Sequence, residues 1–309
     1  MNGWQRWIQA PQTHGFRKAL FQVHLWLGIG LGLYVLLISL SGSAILLKSP
    51  FYGWFEPKTL EPTDATPLKG EALTAKMAEV YADYKLGFTI EAYELTSATY
   101  IVLEKDGNFF PHYFNQYTGE DMGPSNPWPI KAVEWLANVH DDLLLENTGR
   151  KINGIGGLLF VLMSISGIIV WWQGRARWHE GLQIKRRSNR KFMWQLHSFI
   201  GFWSLLLMIA WGVSGFQLGF PQYMNAVVDW FDNDLNDFER PGSVLQFFRG
   251  VHFARFGEGA LVRWLWIIVS FLPAIMFISG VVLWWRRVVV GRRLGRTRLD
   301  QRSTESVTA

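Results

Sequence analysis

The stretch RKALFQVHLWLGIGLGLYVLLISLSG, residues 17–42, decides the fold, because it returns in outline as RKFMWQLHSFIGFWSLLLMIAWGVSG at residues 190–215. Arg17-Lys18 precedes His24 as Arg190-Lys191 precedes His197. Gly28 and Gly201 follow one helical turn after their histidines, and Ser41-Gly42 and Ser214-Gly215 come at identical spacing. A second pair of segments repeats as well. Val139-His140 is echoed by Val251-His252, and Ser166-Gly167 with Trp171-Trp172 is mirrored by Ser279-Gly280 with Trp284-Trp285. A helix pair duplicated with its imidazoles in register predicts paired ligation of something between two halves of a membrane protein.

The apolar residues gather in four blocks, at 19–47, 152–172, 192–220 and 264–285, free of Asp, Glu, Lys and Arg. Each is long enough to cross about 30 Å of hydrocarbon at about 1.5 Å per residue. A soluble protein of this length could not bury four such blocks in one core, so the expected fold is an all-α membrane bundle of four transmembrane helices arranged as two pseudo-repeated pairs. The first block is longer than the apolar region of a signal peptide and ends without a small-x-small exit, so it reads as an anchor that stays. The absence of cysteine excludes disulfides, iron–sulfur ligation and covalent haem attachment.

Charge gives the orientation. The N-terminus, the 173–191 loop and the tail from residue 286 hold 17 basic and 3 acidic residues, whereas 48–151 and 221–263 hold 13 basic and 22 acidic. By the positive-inside rule both termini and the short basic loop are cytoplasmic. The sequence pI near 9.4 is then a topology signal and gives no case for nucleic-acid binding; the basic flanks suit a lipid bilayer with anionic headgroups.

Along the chain, 50–67 reads as a proline-spaced linker. Residues 68–85 read as a helix, with Leu73, Met77, Val80 and Tyr84 at three- and four-residue steps. Two alternating runs at 89–104 and 109–117 flank the turn Lys105-Asp106-Gly107-Asn108, predicting a small antiparallel sheet and hence an α+β insertion. The resulting layout places a cytoplasmic N-terminus and first span in 1–47 and the outer module in 48–130. The outer His140 segment and second span follow in 131–172, a basic cytoplasmic loop in 173–191 and the third span in 192–220. An acidic outer connection carrying His252 occupies 221–263, the fourth span 264–285 and a basic cytoplasmic tail 286–309. Tryptophans at block ends, including Trp26, Trp171, Trp172, Trp194, Trp264, Trp284 and Trp285, fit interfacial belts first and a stacking role second.

Depth sorts the four histidines. His24 and His197 lie one turn inside the cytoplasmic ends of blocks one and three; His140 and His252 precede blocks two and four by about three turns on the other side. A straight helix from His24 to Ser41 rises about 26 Å, so His24 pairs with His197, and His140 with His252. Neutral imidazole is the ordinary nitrogen donor to haem iron, and two on one iron leave a centre that moves electrons. Two haems b per chain, held by His24/His197 and His140/His252, are therefore expected. Arg17 and Arg190 (with Lys18 and Lys191) are candidate propionate partners inside; Arg150 and Arg255 (with Lys151 and Arg249) are candidates outside. Gly28, Gly32, Gly42, Gly201 and Gly215 would admit a flat macrocycle or a neighbouring helix, while Gly154, Gly156 and Gly157 read as helix-packing residues. His14, His112 and His179 have no counterpart in the other half and read as surface residues. No residue pattern suggests a general base or nucleophile.

These segments together resemble the PepSY-associated transmembrane family, from His24-Leu25-Trp26-Leu27-Gly28 through Val139-His140 to Val251-His252-Phe253-Ala254-Arg255-Phe256-Gly257 and Trp284-Trp285. The outer module, ending Asn115-Gln116-Tyr117-Thr118-Gly119-Glu120, looks like a PepSY domain. The resemblance implies a bacterial inner-membrane protein tied to iron uptake. It further implies a branch of ferric-siderophore reductases with bis-histidine haems between four helices, onto which all four histidines map. No nucleotide-binding glycine motif stands outside the membrane helices, so the electron donor would be quinol or a separate flavoprotein. The expected function is reduction of a periplasmic acceptor, ferric iron in a siderophore foremost. The alternative is a non-enzymatic, membrane-anchored PepSY protein that binds a periplasmic partner such as a protease.

Overall fold

The computed structural model describes residues 3–61, 64–173, 176–185, 189–231, 244–255, 257 and 259–290. The loop expected at 173–191 and the connection at 221–263 lie partly outside the described residues, as does the tail beyond 290. The chain is mostly helical. Its N-terminal elements are α1 (Gly3–Gln9), α2 (Gly15–Gly30), α3 (Gly32–Ile45), α4 (Lys48–Phe55) and α5 (Gly70–Val80). Strands β1 (Lys85–Ile90), β2 (Thr99–Lys105), β3 (Asn108–Asn115) and β4 (Glu120–Pro124) follow. Then come α6 (Trp128–Asp142), α7 (Glu146–Trp171), α8 (Asn189–Trp203), α9 (Leu205–Gly219), α10 (Pro221–Phe231), α11 (Val244–His252), α12 (Ala260–Ser270) and α13 (Leu272–Trp285). Two compact units result, one of residues 1–43 with 138–309 and one of residues 44–137.

In the larger unit, α7 and the continuous run Ala260–Val290 are long and apolar enough to cross a membrane. The pairs α2/α3 and α8/α9 reach that length only together, bent by 54° and 63°, so the described residues hold two spans, or four if each bent pair is one. Both joints fall seven residues past a histidine, at Leu31 and Ser204. The first lies among Gly28, Gly30 and Gly32, which leave the backbone unrestrained; at the second, Ser204 Oγ donates to the Ile200 carbonyl at 2.6 Å. The expectation of straight rods is thereby corrected: from His24 to Ser41 the bent path spans about 23 Å, less than a straight helix would. α7 packs closely on α9 through glycine. A Cβ at Gly157 would lie 2.6 Å from the Gly212 carbonyl, and one at Gly154 would lie 3.1 Å from Gly219 Cα. Gly156 instead makes room for the ring of Tyr34.

The smaller unit is an α+β insert. Its sheet runs β1-β2-β3-β4, antiparallel throughout, and α5 covers it. Leu73, Met77 and Tyr81, each four residues apart, meet Ile101, Leu103 and Phe114 in a core whose members are at most 5% exposed. Tyr81 takes the place expected of Val80 and Tyr84, because a strict four-residue step turns those two outward. The first alternating run is two strands, with β1 beginning at Lys85 and a loop before β2. Gly87 stands at the bulge, where a Cβ would lie 2.7 Å from the Val102 carbonyl. β4, unforeseen, has no alternation and is recruited by backbone pairing to β3. The expected proline-spaced linker is also corrected. Its start is α4, where Pro50 occupies the first turn and forfeits no hydrogen bond.

Candidate functional site: two histidine pairs

All four repeated histidines fall in the larger unit, each from a different helix: His24 on α2, His140 on α6, His197 on α8 and His252 on α11. Their rings meet in two pairs. The centroids of His24 and His197 are 6.4 Å apart with planes at 81°, and those of His140 and His252 are 6.0 Å apart with planes at 55°. Two imidazoles each about 2 Å from one shared metal atom would bring their centroids to about 6 Å. Both pairs have that spacing. α6 and α11, which present the His140/His252 pair, were not foreseen as helices. Both are amphipathic, and both carry their histidine at or near the C-terminal end. Burial pushes the His140 and His252 imidazoles below their ordinary pKa, which favours the neutral form that can ligate.

The Ser-Gly dipeptides meet these rings. His24 Nδ1 lies 3.0 Å from Ser166 Oγ and 3.1 Å from the Met163 carbonyl. His197 Nδ1 lies 2.9 Å from Ser279 Oγ, and His252 Nδ1 lies 2.8 Å from Ser214 Oγ. His140 Nδ1 lies 2.9 Å from the Ile38 carbonyl and 3.4 Å from Ser41 Oγ. The arrangement is reciprocal within each half of the duplication: α7 holds the histidine of α2, and α3 holds the histidine of α6. In the second half α13 holds that of α8, and α9 that of α11. The glycines beside three of these serines let the rings approach. A Cβ would lie 2.8 Å from His140 Cε1 at Gly42, 3.2 Å from His24 Cε1 at Gly167 and 3.4 Å from His197 Cε1 at Gly280. Gly215 differs, facing Gly157 Cα at 3.7 Å. The serines escaped the sequence reading although their register was plain, because nothing along the chain says which ring a hydroxyl will face.

A cavity of about 410 Å³ surrounds His24 and His197. Gly28 and Gly201, each one turn past a histidine, line it; at Gly28 an added Cβ would meet only Met163 Sδ, at 4.0 Å. Trp171, Trp194 and Trp284 line it too, while Trp26, Trp264 and Trp285 stand more than half exposed. Trp172 is tied to α1, donating from Nε1 to the Trp7 carbonyl at 3.2 Å.

The expected cationic partners are dispersed. Arg17 donates to the Val170 carbonyl. The side chain of Arg190 lies outside the described residues. Arg150 is bound to Asp141 Oδ2 at 2.8 and 3.1 Å, and the Arg255 guanidinium stands 5.2 Å over the Phe253 ring. Among the described residues the charged group lining the cavity is Arg287, 4.5 Å over the ring of Phe21, a residue that reads in sequence only as basic tail. Of the histidines without a repeat, His112 is bound to Asp121 Oδ1 at 3.0 Å and His14 packs edge-on to Trp7. His179 stacks edge-on to Trp178.

The chain matches the family described as the PepSY-associated TM region over residues 21–243 and 232–287. It is also 26% identical over 89 residues to an uncharacterized protein of Pseudomonas aeruginosa. That stretch is 28% of this chain and 21% of the relative's length.

Proposed function

The chain belongs to the PepSY-associated transmembrane family, and on that premise we propose that it is a four-span, di-haem b electron conduit of the bacterial inner membrane. It delivers electrons to a periplasmic acceptor, ferric iron in a siderophore foremost. The observation that carries this reading is the spacing of two imidazole pairs, 6.4 and 6.0 Å between centroids, with Nδ1 of every ring engaged elsewhere. Each ring then has Nε2 to offer to a metal atom between the pair. Among the described residues no cluster of three or more His, Cys, Asp or Glu could hold a metal ion. Two imidazoles alone do not complete a protein metal site, so the other donors would come from a macrocycle. The glycine-lined cavity beside His24 and His197 supports the same group.

When bound, haem supplies one-electron transfer. The chain's own part would be to hold the group through the paired histidine imidazoles, exclude water with Phe21, Phe160, Phe202 and the three tryptophans, and offset negative charge at the cavity with Arg287. Each ferric ion takes one electron to become ferrous. A quinol donor would give two electrons and release two protons, serving two ferric ions; a flavoprotein donor would deliver electrons singly or in pairs. The orientation follows the charge bias: the His24/His197 pair and both termini on the cytoplasmic side, the 44–137 unit in the periplasm.

Pyridine haemochrome assay of the detergent-purified protein is expected to give about two b-type haems per chain. His24→Ala or His197→Ala should remove one and leave the other's low-spin bands. Protein made with ample haem yet carrying none would overturn the conduit and favour a membrane-anchored module that binds a periplasmic partner.

A further inference from the structure

Four serines face four imidazoles, and all four are nearly inaccessible: Ser41 is 3% exposed, Ser166 4%, Ser214 0% and Ser279 2%. Each hydroxyl proton has a destination on its own helix. Ser166 Oγ donates to the Met163 carbonyl at 2.8 Å, Ser214 Oγ to Trp211 at 2.9 Å and Ser279 Oγ to Met276 at 3.0 Å. Ser41 Oγ donates to the Leu37 carbonyl at 2.8 Å. With its proton so placed, each oxygen accepts from the ring beside it, which puts the histidine proton on Nδ1; the Met163 and Ile38 carbonyls, which can only accept, ask the same of His24 and His140. The other nitrogen, Nε2, then carries the lone pair.

We infer that Ser41, Ser166, Ser214 and Ser279 are the positioning residues of the two histidine pairs, fixing every ring in the Nδ1–H tautomer and tuning how strongly each Nε2 donates. The inference rests on the proposed haem ligation for its redox consequence, though the tautomer follows from the hydrogen bonds alone. A hydroxyl is a neutral acceptor, so it withdraws the Nδ1 proton far less than a carboxylate would and leaves the ligand a plain imidazole. The four positions are unequal. His140 has the Ile38 carbonyl at 2.9 Å besides Ser41 at 3.4 Å, His24 has the Met163 carbonyl besides Ser166, and His197 has the Met276 carbonyl besides Ser279. His252 has Ser214, with no carbonyl acceptor beside it among the described residues. Ser214 therefore carries the most.

The test compares Ser214→Ala with Ser41→Ala in the haem-loaded protein, by haem retention and by spectroelectrochemical titration. Ser214→Ala should weaken retention at the outer pair by about tenfold or more. Its midpoint potential should rise, because the ring loses the acceptor that supports donation to the oxidised metal; each tenfold loss of oxidised-state over reduced-state affinity is about 59 mV for one electron. Ser41→Ala should move both quantities less, and neither change should move the inner pair, which serves as the folding control within the same molecule. Equal effects from the two variants, or an unmoved outer potential in Ser214→Ala, would overturn the inference while leaving haem ligation standing. If the wild type holds no haem, the ligation reading fails by itself. The ¹⁵N spectra of histidine-labelled protein still decide the tautomer: Nδ1–H signals perturbed by Ser214→Ala uphold the positioning role, and Nε2–H signals reject it.

Discussion

At the residue scale, the histidines were legible because duplication repeats them in register, whereas the groups that restrain them were not. The same holds in the inserted unit, where His112 reads as an ordinary surface residue. There Asp121 gathers the Tyr81 hydroxyl at 2.8 Å, the Gly123 amide at 2.9 Å and His112 Nδ1 at 3.0 Å on one oxygen. Burial by itself pushes the Asp121 carboxyl up, but these donors outweigh it and hold the pKa below the ordinary value. Burial, and then the bond to Asp121, raises the Tyr81 phenol. A depressed carboxylate contributes stability above its unfolded pKa of about 4, and the contribution is lost as pH falls through the lower native value. Melting of the intact protein followed from pH 7 to pH 3 should therefore show a loss in wild type that Asp121→Asn largely lacks. Parallel pH profiles for the two proteins would show that the cluster contributes nothing.

At the scale of elements, apolar runs predicted where helices lie but could not predict where they bend. The joints at Leu31 and Ser204 lie inside uncharged sequence, and a hydropathy pattern is blind to a backbone turn that exposes no polar group. β4 and α4 were hidden for the opposite reason, since pairing to β3 and a proline in a first helical turn leave no periodic signature. The seam between α7 and α9 was partly readable as a run of glycines. What the fold adds is their contact: a side chain at Gly157 would strike the backbone of Gly212 and Phe216. Gly157→Leu should separate the two helices and destabilise the protein by about 1–3 kcal/mol or prevent its insertion. Gly53→Ala, inside α4 where an added Cβ meets nothing within 4 Å, should cost no stability in the same thermal assay.

At the scale of the whole molecule, orientation is an electrostatic reading that the absence of cysteine makes easy to test. Asn108→Cys, at the exposed β2–β3 turn, should react with a membrane-impermeant maleimide in cells whose inner membrane is sealed. Arg177→Cys, in the basic loop, should react only after that membrane is opened. The reverse pattern would invert the proposed direction of electron flow.

The duplication, the four apolar blocks, the α+β insertion and the corresponding places of the histidines are all legible along the chain alone. Those features are periodic along the chain, and periodicity survives without knowledge of any contact. That each half swaps its supports, with the serine of one helix under the histidine of the other, emerges from the packed fold. That fold alone put Arg287 at the cavity and left Arg17 and Arg150 on other partners. Such pairings depend on the rotation of each helix about its axis and on two bends near the histidines. Both are set by side chains meeting across helices far apart in sequence.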